Sequence, residues 1–64
     1  MQRQNLTWSK SANSNVWVCN EYPEWSIAEK VLPPYYTVYH NKMYQMDFST
    51  LVRAKGYIED LFRV

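Results

Sequence analysis

The chain has 64 residues, 47% of them hydrophobic and 17% aromatic, with a formal net charge of +1. A chain this short makes one domain that buries only about 60% of its unfolded surface, so its three Trp, six Tyr and two Phe must supply most of the core. One cysteine excludes an internal disulfide, one Cys and one His are too few for a structural zinc site, and a single glycine excludes a phosphate-binding glycine loop.

No apolar run approaches the ~20 residues that a membrane span needs, and no signal-peptide pattern opens the chain. A cytoplasmic protein without a cofactor is therefore expected, and Asn5-Leu6-Thr7 is a chance match to a glycosylation sequon. Residues 1–15 are polar and form either an arm tethered by Trp8 or a short first element; the compact domain spans 16–64. Val16-Trp17-Val18-Cys19 is β-prone and short enough for one edge strand. Pro23 and Glu24 can open a helix whose buried stripe is Ile27, Ala28, Val31 and Leu32, and Pro33-Pro34 must end it. Tyr35–Phe48 follows as a β-hairpin about a two-residue Asn41-Lys42 turn, since Asn tolerates positive φ. That register places Tyr39 opposite Tyr44, Thr37 opposite Met46 and Tyr35 opposite Phe48; a three-residue turn would gather Tyr36, Val38, Tyr44 and Met46 instead. Asp47 or Ser49 can cap a last helix, with Leu51, Ala54, Ile58 and Leu61 as its stripe and Gly56 inside it. The fold class expected is α+β: a small single domain with a wing-like β-hairpin packed on two or three helices. Tyr35, Tyr39, Tyr44, Met46 and Phe48 are assigned to its core, braced by Trp25.

Cys19 and His40 are the one pair that could make a nucleophile and its base, but no oxyanion loop accompanies them, and an enzyme is not expected. Pro33-Pro34-Tyr35-Tyr36 satisfies the PPxY pattern that WW domains read, although its tyrosines are needed for packing and a structural corner is the better reading. His40, Asn41 and Lys42 occupy the hairpin tip. With Lys30, Arg53 and Lys55 they are the candidate contacts to duplex DNA, since a tip carrying a cation and an amide can enter a minor groove or lie along phosphates. The alternative is a small protein-binding inhibitor or adaptor with Trp8, Trp17 and Tyr36 as exposed anchors, because aromatic residues concentrate interface energy.

Trp25, then Lys30-Val31-Leu32-Pro33-Pro34, then Lys42, Tyr44, Met46 and Ser49 together resemble the small phage excisionases. The resemblance covers residues 25–49. It implies a winged-helix, DNA-binding accessory protein of a phage or mobile element. Such a protein acts architecturally on DNA or on a recombinase, with His40, Asn41 and Lys42 as wing contacts. A second similarity, carried by Trp17, Trp25 and Tyr44-x-Met46-Asp47-Phe48, is to the WWE interaction modules, which bind ADP-ribose-type ligands or partner proteins.

Overall fold

The structure is a computed structural model and describes residues 6–31 and 34–62. Asn5, Leu32 and Pro33 lie outside the described residues, so the sequon and the Pro33-Pro34 corner are described only in part.

Five strands and a helix follow in chain order: β1 (Trp8–Lys10), β2 (Val16–Cys19), β3 (Trp25–Val31), β4 (Pro34–His40), β5 (Met43–Phe48) and α1 (Leu51–Leu61). The strands form one antiparallel sheet in sequence order, a meander with β1 and β5 at its edges. Directly paired residues share a face, so the register sorts the side chains. One face carries Trp8, Trp17 and Cys19, then Trp25, Ile27 and Glu29, then Tyr36, Val38 and His40, then Met46 and Phe48. Helix α1 packs on this face against β3, β4 and β5. The other face carries Ser9, Val16, Val18, Ser26, Ala28, Lys30, Tyr35, Thr37, Tyr39, Tyr44 and Asp47, and no helix covers it among the described residues.

This corrects the expected hairpin packed on two or three helices. Among the described residues α1 is the only helix, and it follows the hairpin, so no winged-helix arrangement is present. The segment read as a helix from Pro23 is β3. Ile27, Ala28 and Val31 satisfy a helical spacing, but Trp25, Ile27 and Glu29 alternate equally well with Ser26, Ala28 and Lys30. Pairing on both sides, with β2 and β4, satisfies its backbone and leaves Ile27 with no exposed surface. Pro23 instead sits in the tight connection before β3, where the Trp25 N–H donates to the Tyr22 carbonyl at 2.9 Å. Pro34 opens β4 opposite Val31, so the corner joins two strands and not a helix and a wing. Within residues 1–15, Leu6 is buried and Trp8–Lys10 forms β1, the short-first-element alternative.

Asn41 and Lys42 form the expected turn, with φ of 53° and 67°, and Tyr39 pairs with Tyr44. Beyond that pair Gln45 is an extra residue, so Val38 faces Met46, Thr37 faces Asp47 and Tyr36 faces Phe48. This β-bulge replaces the expected Thr37–Met46 and Tyr35–Phe48 pairs. A bulge reverses the alternation of every residue after it, which turns Asp47 onto the open face and Met46 and Phe48 onto the helix side.

Thr50, not Asp47 or Ser49, caps α1: its side chain accepts from the Arg53 N–H at 3.2 Å. Ala54 and Ile58 are wholly buried against Ile27, Val38 and Cys19, whereas Leu61, the last of the expected stripe, is 51% exposed. Phe62 closes the helix end by stacking on Tyr22 (centroids 3.9 Å, planes 4° apart) and meeting the Trp25 ring edge-on. Two substitutions test this packing in opposite directions by chemical denaturation. Ile58→Ala leaves a cavity under the helix and is expected to destabilise by about 2–5 kcal/mol, a large share of what so small a domain holds. Gly56→Ala puts a methyl group where no atom outside the helix's own backbone lies within 4 Å, and should stabilise the domain by about 0.5–1 kcal/mol through helix propensity.

Candidate binding site

On the open face the centre of the sheet is built from small side chains. Val16 and Val18 of β2 lie opposite Ala28 and Ser26 of β3. On the hairpin side, Tyr39 stands opposite Ser26. The connection Pro23–Glu24 and the turn Asn41–Lys42 rise at one end and are tied together, because the Asn41 N–H donates to the Glu24 carbonyl at 2.8 Å. The result is a groove of about 490 Å³ floored by Val16, Val18, Ser26 and Ala28 and walled by Tyr39, Pro23, Glu24, Asn41 and Lys42. Glu24 and Lys42 are exposed on its rim and form no ion pair among the described residues. Their charges remain available to whatever enters.

Beside the groove the hairpin carries a polar network. Thr37, only 3% exposed although no helix covers it, donates from Oγ1 to Asp47 Oδ1 at 2.6 Å, and the Tyr44 hydroxyl donates to Asp47 Oδ2 at 3.2 Å. Tyr44 and Asp47 stand three residues apart and share a face only because of the Gln45 bulge. Desolvation, and then the negative charge of Asp47, push the Tyr44 phenol above the ordinary tyrosine range.

The expected DNA contacts are not brought together. Asn41 and Lys42 stand exposed at the hairpin tip, while the His40 ring lies on Trp25 at 4.3 Å on the helix side. Lys30 pairs with Tyr35 at the far end of β3, about 17 Å from the turn at strand spacing. Arg53 is exposed in the first turn of α1. Lys55 lies over the Trp17 ring at 4.8 Å, with Lys10 at 5.8 Å from the same centroid. Of the expected protein anchors, Trp8, Trp17 and Tyr36 are half-buried and packed against the core. The indole N–H groups of Trp8 and Trp17 are buried and have no hydrogen-bond partner among the described residues. Among the residues assigned to the core, Phe48 packs there, on Tyr57 at 5.4 Å. Tyr35, Tyr39 and Tyr44 belong instead to the open face, and Met46 is 47% exposed.

Cys19 has no exposed surface, and burial pushes its thiol above the ordinary range; it donates weakly to Glu21 Oε1 at 3.7 Å. No hydrogen bond joins it to His40 among the described residues. No group of three or more His, Cys, Asp or Glu side chains that could hold a metal ion occurs among them either, and no helix is long and apolar enough to cross a membrane. Sequence reasoning missed the groove floor. Its signal, Val16-x-Val18 and Ser26-x-Ala28 alternating on facing strands, becomes legible only once residues 25–31 are read as a strand.

Compared with protein-family models, with curated proteins and with solved structures, the chain matches none.

The Tyr44 network gives a pH prediction. A phenol whose folded pKa is raised favours its neutral form in the fold, so its contribution to stability is whole below the unfolded value near 10 and is lost as pH rises through the folded value. In an ultraviolet titration, Tyr44→Phe should remove a phenolate step from above the usual range, and Asp47→Asn should move that step down. A Tyr44 step left unmoved by Asp47→Asn would remove Asp47 from the account.

Proposed function

We propose that this protein is a non-enzymatic protein-binding module that receives an apolar side chain of a partner in the open-face groove. The observation that carries this reading is the floor of Val16, Val18, Ser26 and Ala28 on a sheet face that no helix covers among the described residues. Its volume of about 490 Å³ lies within the range of about 300–1,000 Å³ typical of small-ligand pockets, which is also room enough for one large side chain. Tyr39 supplies an aromatic wall of the kind that anchors interfaces, and Lys42, Glu24 and Asn41 supply a polar rim that fixes orientation. Relative to the adaptor expected from composition, the anchors move from Trp8, Trp17 and Tyr36 to the groove.

The excisionase-like reading, a DNA-binding accessory protein acting with a recombinase, keeps one favourable observation: Asn41 and Lys42 protrude at an exposed tip. Against it stand the placement of Lys30 at the far end of β3 and of Arg53 and Lys55 on α1, away from the tip, and the acidic Glu24 beside Lys42. Phosphate affinity is built from several cations acting together, and the pair that does gather here, Lys10 and Lys55, lies over the Trp17 ring rather than at the tip.

One variant separates the two readings. Ala28→Phe fills the groove floor while leaving the tip untouched. Selection of linear peptides from a random library should yield ligands that bind the wild-type protein and lose at least tenfold in affinity to Ala28→Phe, with circular dichroism unchanged. Random duplex DNA should not be retained at low salt. Binding to DNA that falls steeply with salt, survives Ala28→Phe and is weakened by Lys42→Ala would overturn the proposal in favour of the nucleic-acid reading.

A further inference from the structure

Among the described residues strand β5 is an edge without protection. Five of its six residues are exposed, including Met43 at 68%, Tyr44 at 61% and Met46 at 47%. Edge strands usually carry a lysine, a proline or a very short length that blocks pairing with another chain. Met43–Phe48 contains neither lysine nor proline, and its one charge, Asp47, is turned onto the sheet face and held by Thr37 and Tyr44. The opposite edge, β1, is only three residues long and ends in Lys10. The two edges are thus treated differently.

The bulge decides what β5 can pair with. In a ladder that starts at a two-residue turn, every second residue of the edge strand points its N–H and C=O outward. His40 and Met43 flank the turn, so Tyr44 is the first outward residue, and the extra Gln45 makes Asp47 the next. This spacing is self-complementary. When a second β5 lies antiparallel beside the first about a two-fold axis normal to the sheet, Tyr44 of each copy stands opposite Asp47 of the other. The bulges then lie on either side of the axis. The same operation keeps both α1 helices on one side of the joint and brings together the exposed Met46 side chains from the helix face.

We propose that β5 is a self-association edge and that its occupant is a second copy of this chain, joined in a continuous ten-stranded antiparallel sheet with Tyr44 paired to Asp47 of the other copy. The interface is isologous and closes after two copies, because the short, lysine-ended β1 at the outer edges does not offer a matching strand. It uses none of the residues that line the groove, so it stands or falls independently of the ligand reading.

Sedimentation velocity over a wide concentration range tests the state, and isotope-filtered NOEs in a mixture of labelled and unlabelled protein test the register. A monomer–dimer equilibrium is expected, with intermolecular NOEs between Tyr44 and Asp47. Met46→Lys adds an edge charge at a position that is already half exposed and should abolish the dimer while the thermal melt of the monomer is kept. Should Met46→Lys itself fail to fold, Met43→Lys, at a still more exposed position, makes the same prediction. A strict monomer at the highest concentration, a dimer insensitive to both lysine variants, or intermolecular NOEs from β1 would each overturn the proposal.

Discussion

Eleven helical residues cannot cover both faces of a five-stranded sheet, and the rest of the molecule is arranged around that constraint. The large residues go where the helix is. Ile27, Val38 and Cys19 are sealed under Ala54 and Ile58, and Trp25, Tyr22 and Phe62 close the end where α1 finishes. A domain of this size cannot build a second core, so the other face must remain stable while wet. Its small central residues meet that requirement by presenting little apolar area, and the hairpin side meets it differently. There Thr37 is shielded by its neighbours and bonded to Asp47, which also accepts from Tyr44. A buried hydroxyl with a partner costs little; without one it would cost about 1–3 kcal/mol.

How much of this was legible in the sequence depended on whether local chemistry or pairing decided the outcome. Asn41 reported its turn because few residues tolerate positive φ, and the Leu51–Ile58 stripe reported its helix because nothing competes with a 3.6-residue period at the chain's end. Residues 25–31 fit both periods. Only the two neighbouring strands, each contributing a ladder, favour the extended form. The excisionase resemblance implied a helix ahead of a wing over that stretch, and the strand found there corrects that expectation of the fold. The bulge at Gln45 was not legible at all. Both turn lengths weighed from sequence assumed unbroken alternation, and one inserted residue exchanged Met46 for Asp47 on the open face.

The candidate site inherited these successes and failures residue by residue. Asn41 and Lys42 were found because they lie at a turn, and they do sit on the rim of the groove. Charge alone links Lys30, Arg53 and Lys55 to them in sequence and carries no positional information, and the fold places Lys30 at the far end of β3 and the other two on α1. Trp8, Trp17 and Tyr36 are anchors in the sequence reading because aromatic residues concentrate interface energy. In a chain with so little core, size sends an aromatic residue inward first. The surface left over is made by residues that are unremarkable in sequence, Ser26 and Ala28 above all.

The Gln45 bulge therefore bears on more than strand pairing. By turning Asp47 outward in both senses, side chain to the open face and backbone to the sheet edge, it links the two surfaces that the helix does not reach. On the open face Asp47 organises Thr37 and Tyr44 beside the groove; at the edge the same pair, Tyr44 and Asp47, presents the outward backbone of β5. An unbulged hairpin would put Met46 among the tyrosines, adding apolar surface to a face with no cover, and would leave Thr37 without its acceptor. The extra residue keeps the wet face polar, and what it gives up is a regular edge.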